Sequence, residues 1–169
     1  MDYWYLNASM LLPFEKLKSL YLSENAIGGN LENEGFGKLS STLSNLEILD
    51  LSYNHLNDSI LLSLSELSSL RYLDLSHNRF EGSSHPRELN NLTNLKSLDL
   101  SGNKIESISN KEWNNLTNLK YLDLSYNNIE SISNQGFQWL SRLTKLETLN
   151  LTGNSLKNSI LFDIEIFHP

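Results

Sequence analysis

The 169-residue chain carries 20 acidic and 13 basic side chains, a formal net charge of −7 and a pI near 5.0. This balance argues against a nucleic-acid partner, which needs a basic footprint, and the scattered lysines and arginines form no run that would bind an anionic membrane. No stretch approaches the ~20 apolar residues of a transmembrane helix, so we expect no membrane insertion by this segment.

One nine-residue pattern, L-x-x-L-x-L-x-x-N, occurs six times along the chain. The copies begin at Leu17, Leu46, Leu70, Leu95, Leu119 and Leu146. If the first leucine is counted as position 0, the leucines at positions 3 and 5 alternate with polar residues, which is typical of a half-buried strand. We therefore predict strands near residues 19–23, 48–52, 72–76, 97–101, 121–125 and 148–152, in which Leu122 and Leu124 point inward and Tyr121, Asp123 and Ser125 point outward.

The spacing of the copies, 24 to 29 residues, indicates a leucine-rich repeat. Apolar residues lie three positions before each copy and six positions before all but the second, which has Ser40 there; examples are Phe14 and Leu11 or Leu116 and Trp113. This spacing suits a short helix or 3₁₀ turn on the return path. Because no single coil can bury this face alone, the coils must stack. We predict an α/β fold: a right-handed solenoid with a parallel β-sheet on its concave face and short helices, 3₁₀ turns and loops on its convex face.

Residues 1–169 are predicted to form a single repeat segment, in which residues 1–16 are the end of a preceding repeat. The start has neither a basic region nor a long apolar region, so we do not expect it to be a signal peptide. Neither end shows a cap, and no kinase or transmembrane segment is expected. The absence of cysteine is typical of a reducing compartment, whereas secreted proteins of this type generally have disulfide-bonded caps. We expect a piece of a longer solenoid or a truncated gene product.

Position 8 is an asparagine in every copy. A carboxamide both donates and accepts hydrogen bonds, so it can pair with backbone groups of its own coil and of the next where the chain leaves the strand. We predict that these residues form a structural ladder, comprising Asn25, Asn54, Asn78, Asn103, Asn127 and Asn154.

The stretches WYLNASMLLPFEKLKSL (Trp4 to Leu20) and GGNLENEGF (Gly28 to Phe36), followed by NLEILDLSYN, resemble a plant family. They are similar to the N-terminal part of the extracellular repeat domain of plant leucine-rich-repeat receptor-like proteins. This resemblance implies a non-catalytic recognition module on the extracellular side of the plasma membrane. It also implies a role in perceiving signals in defence or development, and a partner receptor kinase.

Two alternatives stay open. The chain could be a secreted enzyme inhibitor that resembles polygalacturonase inhibitors, or a truncated gene fragment without function. A transmembrane segment in the full-length gene would separate the receptor from the inhibitor.

The sequence shows no catalytic constellation, no P-loop and no kinase signature, so we predict no enzyme activity and no cofactor. The aspartates at position 4 could pair for acid–base work or bind Ca²⁺. We interpret them instead as solvated consensus residues, and we predict no metal site.

Variable, tyrosine-rich positions on the concave face indicate where a peptide, protein or glycan ligand would bind, since exposed tyrosines are enriched at interaction hot spots. The alternative interpretation is ordinary variation of solvated positions, helped by the β-propensity of tyrosine. The predicted ligand-binding patch comprises Tyr53, Tyr72, His77, Tyr121 and Tyr126, with Asp50, Asp74 and Asp123 between them.

N-x-S/T sequons support an extracellular origin, although repeat consensus explains some of them equally well. The predicted glycosylation sites are Asn7, Asn57, Asn91, Asn115 and Asn150. A glycan on Asn150, which replaces the aspartate at position 4 of the last copy, would cover the concave face there.

Overall fold

The structure is a computed structural model that describes residues 6–28, 42–82, 86–108, 113, 115–132 and 140–157. The residues outside these ranges include part of the N-terminal stretch that carries the family resemblance. Within the described ranges, no helix is long and apolar enough to cross a membrane.

Eight short strands follow one another along the described chain. They are β1 (Ser19–Tyr21), β2 (Ile48–Asp50), β3 (Tyr72–Asp74), β4 (Ser97–Asp99), β5 (Ser107–Ile108), β6 (Tyr121–Asp123), β7 (Ser131–Ile132) and β8 (Thr148–Asn150). All pairings are parallel, and β1-β2-β3-β4-β6-β8 form one open six-stranded sheet while β5 and β7 pair separately. This confirms the predicted leucine-rich-repeat solenoid.

Short helices occupy the return path between the strands of the large sheet. A 3₁₀ helix at Ala8–Phe14 precedes β1, and a second 3₁₀ helix at Asp58–Ile60 runs into an α-helix, α1 (Leu61–Leu64). A third 3₁₀ helix spans Pro86–Asn91 before β4. Each is too short to be stable alone, so the stacked core must hold it in place.

The core is a continuous stack of leucines from neighbouring coils. Leu98, Leu122 and Leu124 are fully buried, as the alternation predicted, and Trp113 is buried on the return path. Phe14 was also expected inside, but 54% of it is exposed. It belongs to the first described coil, which has a described neighbour on one side only.

The strands begin where they were predicted but end two residues early. The reason is that the position-6 amide hydrogen-bonds to the position-4 side chain of its own coil: Ser52 N donates to Asp50 Oδ1 at 2.9 Å, and Ser125 N to Asp123 Oδ1 at 2.8 Å. The chain therefore turns after position 4. As a result Ser125, predicted to point outward, is only 3% exposed.

The position-8 asparagines link each coil to the preceding one, not to the next. Asn103 Nδ2 donates to the carbonyls of Leu75, Leu100 and Ser101, while its Oδ1 accepts from Phe80 N. Asn54, Asn78 and Asn127 repeat this arrangement with the equivalent groups of their own and preceding coils. Asn154 does so with two carbonyls, those of Leu124 and Leu151, and with the amide of Ile129. These bonds satisfy backbone groups that the buried turn would otherwise leave without partners.

Candidate ligand-recognition surface

Two columns of side chains run across the concave sheet because the strands pair in register. Position 2 brings Tyr72 beside Ser97 and Ser97 beside Tyr121. The position-4 column runs through Tyr21, Asp50, Asp74, Asp99, Asp123 and Asn150. Adjacent strands lie about 4.8 Å apart, so the side chains of each column form a continuous surface.

The small Ser97 side chain lies between the two tyrosines, which are exposed by 46% at Tyr72 and 36% at Tyr121. A shallow depression of about 200 Å³ opens here, extending from Tyr21 of β1 to Tyr121 of β6. Three carboxylates line it, those of Asp50, Asp74 and Asp99. This volume is below the roughly 300–1,000 Å³ of typical small-molecule sites, so the depression matches one large side chain better than a whole small ligand.

The four aspartates of the column have different environments. Each uses Oδ1 to accept the amide of the serine two residues later. The Oδ2 atom of Asp123 accepts two further bonds, from Tyr121 Oη at 2.9 Å and Asn150 Nδ2 at 2.8 Å. For the three aspartates of the depression, Oδ2 accepts no hydrogen bond from the described residues, and no lysine or arginine in the described part of the chain forms an ion pair with them.

These differences shift two carboxyl pKa values in opposite directions. Burial raises the pKa of Asp99 above its usual value; hydrogen bonds from Ser101 oppose this shift, and the neighbouring carboxylates reinforce it. Burial alone would also raise the pKa of Asp123, but the hydrogen bonds that it accepts outweigh burial and hold that pKa below its usual value. Asp123, predicted to face outward, is only 6% exposed, because Tyr121 and Asn150 cover it.

Tyr121 is held in place as well as exposed. Burial raises the pKa of its hydroxyl to about 12, and the hydrogen bond that it donates to Asp123 contributes to the rise. The hydroxyl is therefore protonated and directed at the carboxylate at neutral pH, while the ring forms one wall of the depression.

The remaining predicted contact residues lie on the rim, where the chain leaves the strand. Tyr53, His77 and Tyr126 occupy position 7 and have φ of 52° or 53°, in the left-handed region. Glycine takes the same position as Gly102 and Gly153 in the fourth and sixth copies, also at positive φ. This conformation costs a non-glycine residue roughly 1–2 kcal/mol, and it directs these side chains to the edge of the sheet.

The rings on the rim lean from one coil to the next. The rings of Tyr53 and His77 stack with centroids 4.1 Å apart and planes inclined by 13°. The ring of Tyr126 lies over Gly153, where an added Cβ would come within 2.7 Å of it. The rim group of Tyr53, His77 and Tyr126 is thus separate from the depression.

The structure therefore divides the predicted ligand-binding patch. Tyr72, Tyr121, Asp50 and Asp74 line the depression, whereas Tyr53, His77, Tyr126 and Asp123 do not. The depression also includes Tyr21, Ile48, Ser97 and Asp99, which the predicted patch omitted. Tyr21 and Asp99 could have been found from the sequence, since both occupy position 4.

A column of charged side chains at position 1 borders the N-terminal ends of the strands. Lys18 and Arg71 pair with Glu47 at 3.0 and 3.4 Å, and Lys120 pairs with Glu147. These ions are largely exposed, so each pair contributes little to stability. The column places cations opposite the aspartates, on the other side of the tyrosines.

The sequons occupy different environments. Asn91 and Asn115 are exposed on the return path. Asn7 and Asn57 each accept the amide of the residue two positions later at the start of a 3₁₀ helix. Asn150 is partly buried on β8, with its Nδ2 bonded to Asp123.

The described residues contain no group of three or more histidine, aspartate or glutamate side chains placed to hold a metal ion.

Leucine-rich-repeat family models match residues 42–65, 68–115 and 93–156 of the chain. The chain is 48% identical over 62 residues to Cuscuta receptor 1 of Solanum lycopersicum, a match covering 37% of this chain and 5% of the receptor. It is 45% identical over 87 residues to receptor-like protein 15 of Arabidopsis thaliana, covering 51% of this chain and 9% of the relative. The chain thus spans only a small part of these curated relatives.

The fold is similar to the crystal structure of the leucine-rich-repeat ectodomain of the receptor kinase SOBIR1 from Arabidopsis thaliana. The TM-score is 0.60 and the sequence identity 26%, over 81% of this chain and 70% of that chain.

Proposed function

Because this chain belongs to the leucine-rich-repeat family and its repeats are those of plant receptor-like proteins, we propose that its concave face is an extracellular ligand-recognition surface. The ligand is a peptide, protein or glycan, and the role is signal perception at the plasma membrane in defence or development. A partner receptor kinase transmits the signal. In this proposal the segment has no catalytic part.

The observation that carries this proposal is the pair of exposed tyrosines that line the depression, Tyr72 and Tyr121. Tyrosine gives a large amphipathic contact area at low entropy cost, and interaction hot spots are enriched in it. Tyr72 and Tyr121 are two strands apart, so one ligand can contact both. The rim group adds the aromatic surfaces of Tyr53, His77 and Tyr126, and Asp50, Asp74 and Asp123 make the face between them acidic.

An extracellular setting is supported by the sequons and by the relatives, several of which bear the name of receptor. We propose Asn7, Asn57, Asn91, Asn115 and Asn150 as glycosylation sites. The first four lie off the position-2 and position-4 columns, so glycans there would leave the tyrosines accessible.

A capture experiment tests the proposal. The immobilised 169-residue chain is exposed to extracellular fluid from plant tissue, alongside a Tyr72→Ala/Tyr121→Ala variant and a Leu62→Ala control. Leu62 lies in α1 on the convex side and is 59% exposed, so its removal changes the apolar surface on the opposite face.

We expect specific components to be retained by the wild type and by the Leu62→Ala control, and lost by the tyrosine variant. Retention that is equal for all three proteins, or absent from all three, would contradict recognition by the concave face.

A further inference from the structure

We propose that the depression that runs along the concave face from Tyr21 to Tyr121 is a binding site for a single arginine side chain of a polypeptide ligand that lies across β2, β3 and β4. This rests on the proposed function, because it assigns the chemistry of one contact on the proposed recognition surface.

The size of the depression is the first argument. About 200 Å³ accommodates one long side chain, whereas a drug-sized ligand needs a larger site. The depression is open to solvent along the sheet, so a ligand backbone can lie above it while one side chain enters. Ser97 makes this possible, because the tyrosines on both sides of it in the same column leave a gap that a larger residue would close.

The free acceptors in the depression are the second argument. Asp50, Asp74 and Asp99 each have an Oδ2 that accepts no bond from the described residues, and no described cation pairs with them. Asp123 provides the internal comparison: it belongs to the same column, its Oδ2 is fully used by Tyr121 and Asn150, and it does not line the depression. The aspartates whose Oδ2 atoms can still accept a hydrogen bond are thus the ones that line the depression.

Charge and shape together favour arginine over lysine. A guanidinium has five donors in a planar fork, so it can bond to more than one carboxylate and stack on an aromatic face at the same time. The tyrosine walls supply such faces, and cation–π contacts in structures involve arginine more often than lysine. An ammonium group would meet the carboxylates as a point charge and leave part of the ring surface uncovered.

The carboxylates around the depression also favour a bound cation. Asp99 is partly buried between two other carboxylates, which together with burial raise its pKa. A cation in the depression would lie against these charges and relieve their mutual repulsion. Lys18 and Arg71 pair with Glu47 at the strand starts, and Lys120 pairs with Glu147. These cations and Lys96, which precedes Ser97, do not line the depression, so they border it without filling it.

A peptide-library selection tests the arginine site without requiring the natural ligand. A random dodecapeptide library is selected on the full 169-residue chain and depleted on a Ser97→Tyr variant. Tyrosine already occupies this column at Tyr72 and Tyr121, so the strand accommodates it, and the added ring closes the gap without changing the charge. Peptides that survive depletion require the open depression.

We expect the surviving peptides to share one arginine. Replacing it with citrulline, which keeps the shape and removes the charge, should weaken binding at least about tenfold, because charge-assisted hydrogen bonds are lost. Asp99→Asn should weaken binding similarly, whereas Glu106→Gln should not, since Glu106 is an exposed carboxylate beside β5 and outside the depression. Lysine in place of arginine should bind more weakly.

Surviving peptides without a shared arginine, full tolerance of citrulline, or equal binding of lysine would overturn the proposal. Any of these results leaves the proposed function standing if Tyr72→Ala/Tyr121→Ala still abolishes capture of the extracellular ligand. Conversely, if the Tyr72→Ala/Tyr121→Ala variant captures the extracellular ligand as well as the wild type does, the proposed function is contradicted, whichever peptides the library yields.

Discussion

The imidazole of His77 occupies the space that a side chain at Gly102 would need. An ideal Cβ built on Gly102 would lie 2.6 Å from His77 Nδ1, closer than real Cβ contacts come, and Gly102 has φ of 64°. Glycine is therefore favoured at this position for two separate reasons, the backbone conformation and the neighbouring ring.

A double-mutant cycle separates these two reasons. Gly102→Ala should destabilise the chain by roughly 1–2 kcal/mol from backbone strain, with a further cost from the clash. In a His77→Ala background the clash is absent, so Gly102→Ala should cost only the backbone part. Urea denaturation of the four proteins measures the difference, and equal costs in both backgrounds would show that the ring does not constrain position 7.

Because the asparagine ladder is buried, replacing one of its amide groups with a carboxylate should strongly reduce stability. Asn103→Asp removes the Nδ2 group, which donates to three carbonyls, and places a carboxylate against them. Burying unsatisfied groups costs about 1–3 kcal/mol each and more for charged ones, so we expect a loss of at least about 3 kcal/mol at neutral pH. The matched control is Asn25→Asp: Asn25 is exposed, so water can solvate the charge. A comparable loss in both variants would contradict a buried ladder.

Most of the fold follows from the repeat pattern, whereas the site follows only in part. Alternating leucines and a regular asparagine suffice to place the six strands and the core. The early strand ends could not be read from this alternation, because a local bond between the aspartate and the serine amide competes with the strand. The same bond buries Ser125 and turns the position-7 side chains to the rim, which divides the predicted patch. The depression depends on the small side chain of Ser97 between Tyr72 and Tyr121, and the register of the paired strands is what makes these three residues neighbours.

Asp99 and Asp123 should affect stability with opposite dependence on pH. Folding raises the pKa of Asp99, so the stability that its neutral form contributes is present below the unfolded pKa near 3.8 and is lost as pH rises through the folded pKa. Asp99→Asn should therefore stabilise the chain at pH 7 and lose this advantage at acid pH. Folding lowers the pKa of Asp123, so its contribution is present above 3.8 and is lost as pH falls. Asp123→Asn should therefore destabilise at pH 7 and approach the wild type in acid.

Chemical denaturation between about pH 3 and pH 7, the range that spans ordinary carboxyl titration, measures how the free energy of unfolding of each variant, relative to the wild type, changes with pH. A change of the same sign for both variants would mean that the two carboxylates do not differ as their hydrogen bonds indicate.

Glycosylation should be unequal among the five sequons. The glycan is carried on the asparagine Nδ2, and at Asn150 this atom donates to Asp123 Oδ2, whereas Asn91 and Asn115 are exposed. In material secreted from plant cells, we expect Asn91 and Asn115 to be occupied and Asn150 to have the lowest occupancy. Glycopeptide mass spectrometry measures this, and full occupancy at Asn150 would mean that the concave face of the last coil is covered.

The central claim, that the concave tyrosines recognise a ligand, is tested most directly by titration calorimetry of the captured extracellular ligand against Tyr72→Ala, Tyr121→Ala and Leu62→Ala. A true hot spot loses about 2 kcal/mol or more, so each tyrosine variant should bind roughly 30-fold more weakly. Leu62→Ala should bind like the wild type, and the melting temperatures of Tyr72→Ala and Leu62→Ala should stay close to that of the wild type. Tyr121→Ala should melt somewhat lower, because it also loses the bond to Asp123. Wild-type affinity in both tyrosine variants, or a loss of affinity in Tyr72→Ala that follows a lowered melting temperature, would contradict the claim.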